Sequence, residues 1–100
     1  MKERLAKEAE IRKRIFSSIT SDVPCHDIWV WLSEPSLVIS YVYPANADLE
    51  SHEKNGTKEK VDKKITQALN RLGYKEFSIN YHSHQYVLEK FNGNYDKYFR

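Results

Sequence analysis

The residues of this 100-residue chain with the widest choice of chemistry are one cysteine and four histidines. Cys25-His26 could join His82 and His84 in a zinc site, because alternate residues of a strand share a face and thiolate and imidazole are good zinc donors. The spacing matches no recognised metal motif, however, and the adjacent Cys25 and His26 point apart in extended chain. That disfavours both zinc and a Cys-His nucleophilic pair. With Tyr81 and Tyr86 nearby, the histidines could also act as general acid and base in RNA cleavage. Gly56, Gly73 and Gly93 are too scattered for a phosphate loop, and G-x-S-x-G, H-E-x-x-H and C-x-x-C are all missing. The expectation is a protein that is not an enzyme, with no catalytic residues, no metal and no cofactor.

The element that would position any such group runs from Asp27 to Tyr43. It contains both tryptophans and is split by Ser33-Glu34-Pro35-Ser36, where proline presets the backbone of a turn, so the spacing predicts a β-hairpin. With Glu34 and Pro35 as the central pair, Leu32 faces Leu37, Val30 faces Ile39 and Ile28 faces Tyr41 on the core side. Trp29, Trp31, Val38, Ser40 and Val42 take the other side.

An apolar stripe of Leu5, Ala9, Ile11, Ile15, Phe16 and Ile19 predicts a helix over 2–20, stopped near Thr20-Ser21-Asp22 by Pro24. Residues 45–56 show no periodicity and read as an acidic contact loop. Thr57 can cap a helix carrying Val61, Ile65, Ala68, Leu69 and Leu72, with Gly73 as its stop. Residues 74–82 alternate as a strand, with Phe77, Ile79 and Tyr81 inward and Asn80 and His82 beside the tryptophans. Ser83 can cap a short helix over 84–91 with Val87, Leu88 and Phe91 buried, a hairpin strand there being the alternative, and 95–99 alternates as a closing strand.

The expected fold is a single α+β domain over 1–100, a two-layer sandwich of order αββαβαβ. Its sheet would be four-stranded, mixed and mostly antiparallel, with the helices on one face and the last strand parallel to the one before it.

The net charge of +2 hides a segregation. Residues 1–20 hold six Lys/Arg against three Glu, residues 21–53 hold six acids and no Lys or Arg, and residues 54–100 hold ten basic residues against five acids. A basic partner would be drawn to the middle third. No apolar run approaches the ~20 residues that span a bilayer. The charged N-terminus has no signal-peptide pattern, so the expected place is the cytoplasm, which a lone cysteine suits.

Aromatic residues on an open sheet suit protein hot spots, and they can equally stack nucleic-acid bases. A cation-free hairpin argues for protein. The contact set is then Trp29, Trp31, Tyr41, Tyr43, Asp48, Glu50, His52, Glu53, Asn80 and His82, the acids steering and the rings filling a pocket. Alternatives are a nucleic-acid- or ribosome-associated module, a homodimer that packs the tryptophans away, or a small RNA-processing or metal-dependent enzyme using His82 and His84.

The C-terminal run from Ser83 to Arg100, with S-H-x-x-V at Ser83 to Val87, G-N-Y at Gly93 to Tyr95 and closing aromatics, resembles the ends of small immunity proteins. These are encoded beside bacterial polymorphic or contact-dependent growth inhibition toxins. The resemblance implies a stoichiometric inhibitor that binds a cognate toxin domain, often a nuclease, and occludes its active site. The chain's positive overall charge departs from the acidic pattern common among nuclease inhibitors.

Overall fold

β-Branched and aromatic residues dominate Asp27–Ser33 (β1) and Ser36–Tyr43 (β2), and the two strands pair antiparallel. The register sets Leu32 opposite Leu37, Val30 opposite Ile39 and Ile28 opposite Tyr41, as the alternation requires. The computed structural model describes residues 2–19, 23–33 and 36–99. The turn pair Glu34-Pro35 and the expected helix end at Thr20, Ser21 and Asp22 lie outside the described residues.

The remaining elements are α1 (Lys2–Ser18), α2 (Asn46–Ser51), α3 (Thr57–Arg71), β3 (Ser78–Ser83), α4 (His84–Phe91) and α5 (Tyr95–Phe99). The sheet has three strands in the order β1-β2-β3, and β3 runs parallel to β2. Parallel neighbours need a long crossover, and residues 44–77, with α2 and α3, supply it.

One face of the sheet is the core. Ile28, Leu32, Leu37, Ile39, Tyr41 and Tyr43 are buried there against Ile11 and Ile15 of α1 and Val61, Ile65, Ala68 and Leu69 of α3. The stripe of α1 is shorter than its pattern suggests: Ala9 is exposed and Leu5 is 57% exposed, because the first two turns project past the core. The side of α1 beside β1 does other work. The Arg12 guanidinium donates through Nε to the Ile28 carbonyl at 2.9 Å, and the Leu32 N–H donates to Glu8 Oε2 at 2.6 Å. Glu8 and Arg12 lie one helical turn apart, so they occupy backbone groups on the free edge of β1 that another chain could otherwise pair with.

Several expectations are corrected. Among the described residues there are three strands rather than four, because 95–99 is a helix: Tyr95, Tyr98 and Phe99 recur at helical spacing, and the Asn94 side chain accepts from the Lys97 N–H at 3.1 Å to start the turn. The parallel pair is therefore β2 with β3, and the helices do not share one face, since α5 packs on the face opposite α1 and α3. Residues 45–56 are not structureless. Asn46–Ser51 coil into α2, whose start is tied by the Ala45 N–H to Asp48 Oδ2 at 3.2 Å.

Gly56, at φ +77°, is the N-cap of α3 in place of Thr57, whose own N–H is taken by Asn55 Oδ1 at 3.0 Å. β3 begins only at Ser78, so Tyr74 and Phe77 join the core from irregular chain. Ser83 does cap α4, accepting from the Tyr86 N–H at 3.4 Å. Of the three residues expected to be buried on α4, Val87 is, but Leu88 is 50% exposed because it faces away from the sheet side of this two-turn helix.

Candidate protein-binding face

The side of the sheet opposite the core carries Trp29 and Trp31 from β1, Val38, Ser40 and Val42 from β2, and Ser78, Asn80 and His82 from β3, because these alternate with the core residues. Its middle is covered by α5. Phe99 sits edge-on to both indoles, 5.7 Å from Trp29 and 4.8 Å from Trp31, and 5.3 Å from the His82 ring. Tyr95 stacks on Trp29 at 5.5 Å. Val42 and Ser40 are buried beneath. Trp31 remains 38% exposed.

Two hydrogen bonds pin α5 to β3 and the start of α4. The Tyr98 hydroxyl meets His82 Nδ1 at 2.7 Å, and the Tyr95 hydroxyl meets His84 Nδ1 at 2.6 Å. Among the described residues His82 Nε2 and Trp29 Nε1 are buried with no hydrogen-bond partner. Burial lowers the pKa of His82. The same cause, helped by the adjacent His26 ring, lowers that of His84, so both imidazoles are held toward the neutral form.

α5 thus forms a ridge between two shallow grooves. One, of about 380 Å³, is lined by Trp31, Val38, Ser40, Asn80, His82 and Phe99. The other, of about 450 Å³, lies between α2, α4 and α5 and is lined by Asn46, Leu49, Glu50, Ser83, Tyr86 and Tyr98. Among the described residues neither lining contains a lysine or an arginine. The second groove is built by hydrogen bonds from three elements: Ser83 Oγ donates to Asn46 Oδ1 at 2.5 Å, and the Asn46 N–H donates to Gln85 Oε1 at 2.9 Å.

The expected contact residues are divided by this arrangement. Trp31, Asn80 and His82 meet in the first groove, with Trp29 behind Phe99. Glu50 lines the second groove, and Glu53 is exposed in the turn after α2. Asp48 is engaged at the start of its own helix.

Tyr41, Tyr43 and His52 are corrected out of any surface role. The Tyr41 hydroxyl donates to the Pro24 carbonyl at 2.7 Å, and the Tyr43 hydroxyl meets His52 Nδ1 at 3.1 Å inside the core. Desolvation raises both phenol pKa values and lowers that of His52. Their shared parity with Ile39 already assigned the two tyrosines to the core face. Nor do the acids and Trp31 form one patch: Trp31 pairs with Val38 near the hairpin turn, whereas α2 starts beyond Tyr43, five strand steps or about 17 Å away.

Sequence reasoning missed Tyr86, Tyr95, Tyr98 and Phe99 as surface-forming residues. The spacing of three and one from Tyr95 to Tyr98 to Phe99, after a capping asparagine, was the available signal.

The histidines do not converge on a reactive centre. His26 and His84 stack face to face with centroids 3.5 Å apart, which turns their nitrogens outward along the ring edges rather than toward a shared point. Among the described residues no three His, Cys, Asp or Glu side chains are placed to hold a metal ion. The Cys25 thiol points at the Asp27 carbonyl at 3.8 Å, and burial raises its pKa, away from a reactive thiolate. Asp27 itself is paired with Arg12 at 2.6 Å. Among the described residues no helix is long and apolar enough to cross a membrane. No protein-family model matches the chain, and neither does any curated protein or solved structure.

Proposed function

We propose that the protein is an immunity protein that binds a cognate bacterial toxin domain and neutralises it by occluding the toxin's active site, acting in the cytoplasm by stoichiometric binding rather than catalysis. The observation that supports this reading is the aromatic ridge of α5 between two grooves that offer Trp31, Phe99, Tyr86 and Glu50 with no cation among the described residues of either lining. Tryptophan and tyrosine dominate protein hot spots because they bury a large area while few rotors are frozen. A surface of this kind repels phosphates and accepts a basic protein, such as the active-site surround of a nuclease.

Trp31 is the anchor, and Glu50 and Glu53 steer the partner. Titration of the toxin domain encoded beside the chain tests the reading by calorimetry. Trp31→Ala should weaken binding by about 2 kcal/mol, roughly thirtyfold, and Glu50→Lys with Glu53→Lys should slow association and flatten its salt dependence. Wild-type affinity in all these variants would remove this face from the interaction.

A nucleic-acid-binding module is the second reading, favoured by a cleft between α1 and α3 lined by Arg14, Ser17, Ser18, Ala68, Arg71 and Leu72. Arg71 lies in the last turn of α3 and so answers carbonyl dipoles already present there, which weakens the cleft's pull on phosphate. A gel-shift titration at two salt concentrations separates the readings, since nucleic-acid binding falls steeply with salt.

A further inference from the structure

We infer that α5 is an acid-released lid: protonation of His82 and His84 undocks it from the indole face and opens the sheet beneath. The hinge is built in. Asn92 and Gly93 both take left-handed backbone, at φ 53° and 78°, and close α4 with bonds to the Val87 carbonyl, so Asn94 starts α5 as a separate short piece. No residue of α5 is fully buried. Its hold is the ring contacts of Tyr95 and Phe99 on the sheet, those of Tyr98 on His82, Tyr86 and Phe91, and the two tyrosine–histidine bonds.

Acid acts on those bonds through both rings. In neutral His82, Nδ1 meets Tyr98 and the buried Nε2 goes unpaired; in charged His82, Nε2 becomes a cationic N–H buried with no acceptor, which is much more costly. His82 faces the Tyr98 phenol and the Phe99 ring, and no charged group of β2, α2, α4 or α5 acts on it to stabilise a proton. His84 lies under the Tyr95 ring, 5.9 Å away, so release of α5 returns its imidazole to water, while the stack on His26 at 3.5 Å involves no α5 residue and persists in both states. Asp27 is the one carboxylate that favours the proton on His84, and it is already paired with Arg12.

The sign follows: both histidines bind a proton more readily once α5 is free, so docking is complete at neutral pH and is lost as pH falls below about 6.5. Opening grows by about tenfold per pH unit for each histidine that titrates on release.

The lid is independent of the inhibitor reading, because its test uses the chain alone. Trp29 and Trp31 are its only tryptophans, so fluorescence excited at about 295 nm, which spares the seven tyrosines, reports this face. Between pH 7.5 and 5, emission should shift to the red while the far-UV circular dichroism of α1 and α3 persists. His82→Gln with His84→Gln, which keeps a hydrogen-bonding side chain but cannot take the proton, should abolish the shift. Amide exchange gives a second readout, with protection falling at residues 95–99 ahead of α3. An unshifted emission, an equal shift in the glutamine variant, or a shift that coincides with loss of all helical signal would each overturn the lid.

Discussion

Replacing Ser83 by alanine probes how the second groove is built. Ser83 is 2% exposed, and its hydroxyl accepts from the Tyr86 N–H at 3.4 Å while donating to Asn46 Oδ1 at 2.5 Å. The long capping bond belongs at the low end of cap energies, about 0.5–1 kcal/mol. The short bond to Asn46 contributes about 1 kcal/mol net, and no more, because half-exposed Asn46 can turn its freed oxygen toward water. The total is about 1.5–2 kcal/mol. For a chain of this size each kcal/mol moves the melting temperature by about 4–8 °C, so Ser83→Ala should melt roughly 10 °C below the wild type. Calorimetry measures the shift, and a double-mutant cycle with Asn46→Ala should return a coupling of about 1 kcal/mol. A melting temperature within about 2 °C of wild type, or a cycle with no coupling, would refute the view that one hydroxyl ties β3, α4 and α2 together.

Three further perturbations test the frame around the face. Glu8→Ala strips the acceptor from the Leu32 N–H, so it should cost about 1–2 kcal/mol and promote edge-to-edge association, seen as concentration-dependent light scattering; an unchanged monomer of unchanged stability would show that α1 does not guard β1. His52 is held below its ordinary pKa chiefly by burial, so its contribution to stability is complete above about pH 6.5 and declines as pH falls; His52→Gln should lessen the drop in urea midpoint between pH 7 and 5. Gly56→Ala meets no atom within 4 Å, so its cost is the left-handed backbone alone, about 1 kcal/mol or roughly 5 °C in melting temperature, and a neutral result would mean the α3 start shifts to another cap.

How far the fold was legible depended on the length of each pattern. The hairpin register followed from β-branched and aromatic runs of 7 and 8 residues on either side of a proline turn, and α3 followed from four apolar positions on one stripe within its 15 residues, continued by Leu72 at the cap. α2, at six residues, is less than two turns, with Leu49 its one large apolar residue, so no period can show in it. α5 is shorter still, and Tyr95, Lys97 and Phe99 satisfy a two-residue period as well as Tyr95, Tyr98 and Phe99 satisfy a helical one. What separates the two readings is tertiary: the sheet edge at β3 carries no fourth strand, while the indole face beside it offers Tyr95 and Phe99 a large aromatic surface. The candidate site inherited that ambiguity. Trp31, Asn80 and His82 could be placed on one face from parity alone, but the rings that frame them came from the segment whose period was undecided.

That one misassigned segment changes what kind of surface the chain presents. A closing strand would have widened the sheet and left a flat array of indoles, suited to stacking bases. A lid of five residues instead leaves Trp29 under Phe99, keeps Trp31 at the rim, and divides the face into two grooves with Glu50 in one and neutral His82 in the other. On the proposed inhibitor reading such a relief would select partners by shape, since a knob would have to pass on both sides of α5. On that reading the acids would act from the far end of β2 on approach rather than inside the Trp31 groove. Rim charges set association rates and buried rings set lifetimes. Lysine at Glu50 and Glu53 should therefore lower the association rate of a basic partner with little change in its dissociation, whereas alanine at Trp31 should raise dissociation with little change in association, measured by surface plasmon resonance. Equal effects of both on dissociation would mean that the acids and the indole lie in one contact after all, against the separation set by the strand between them.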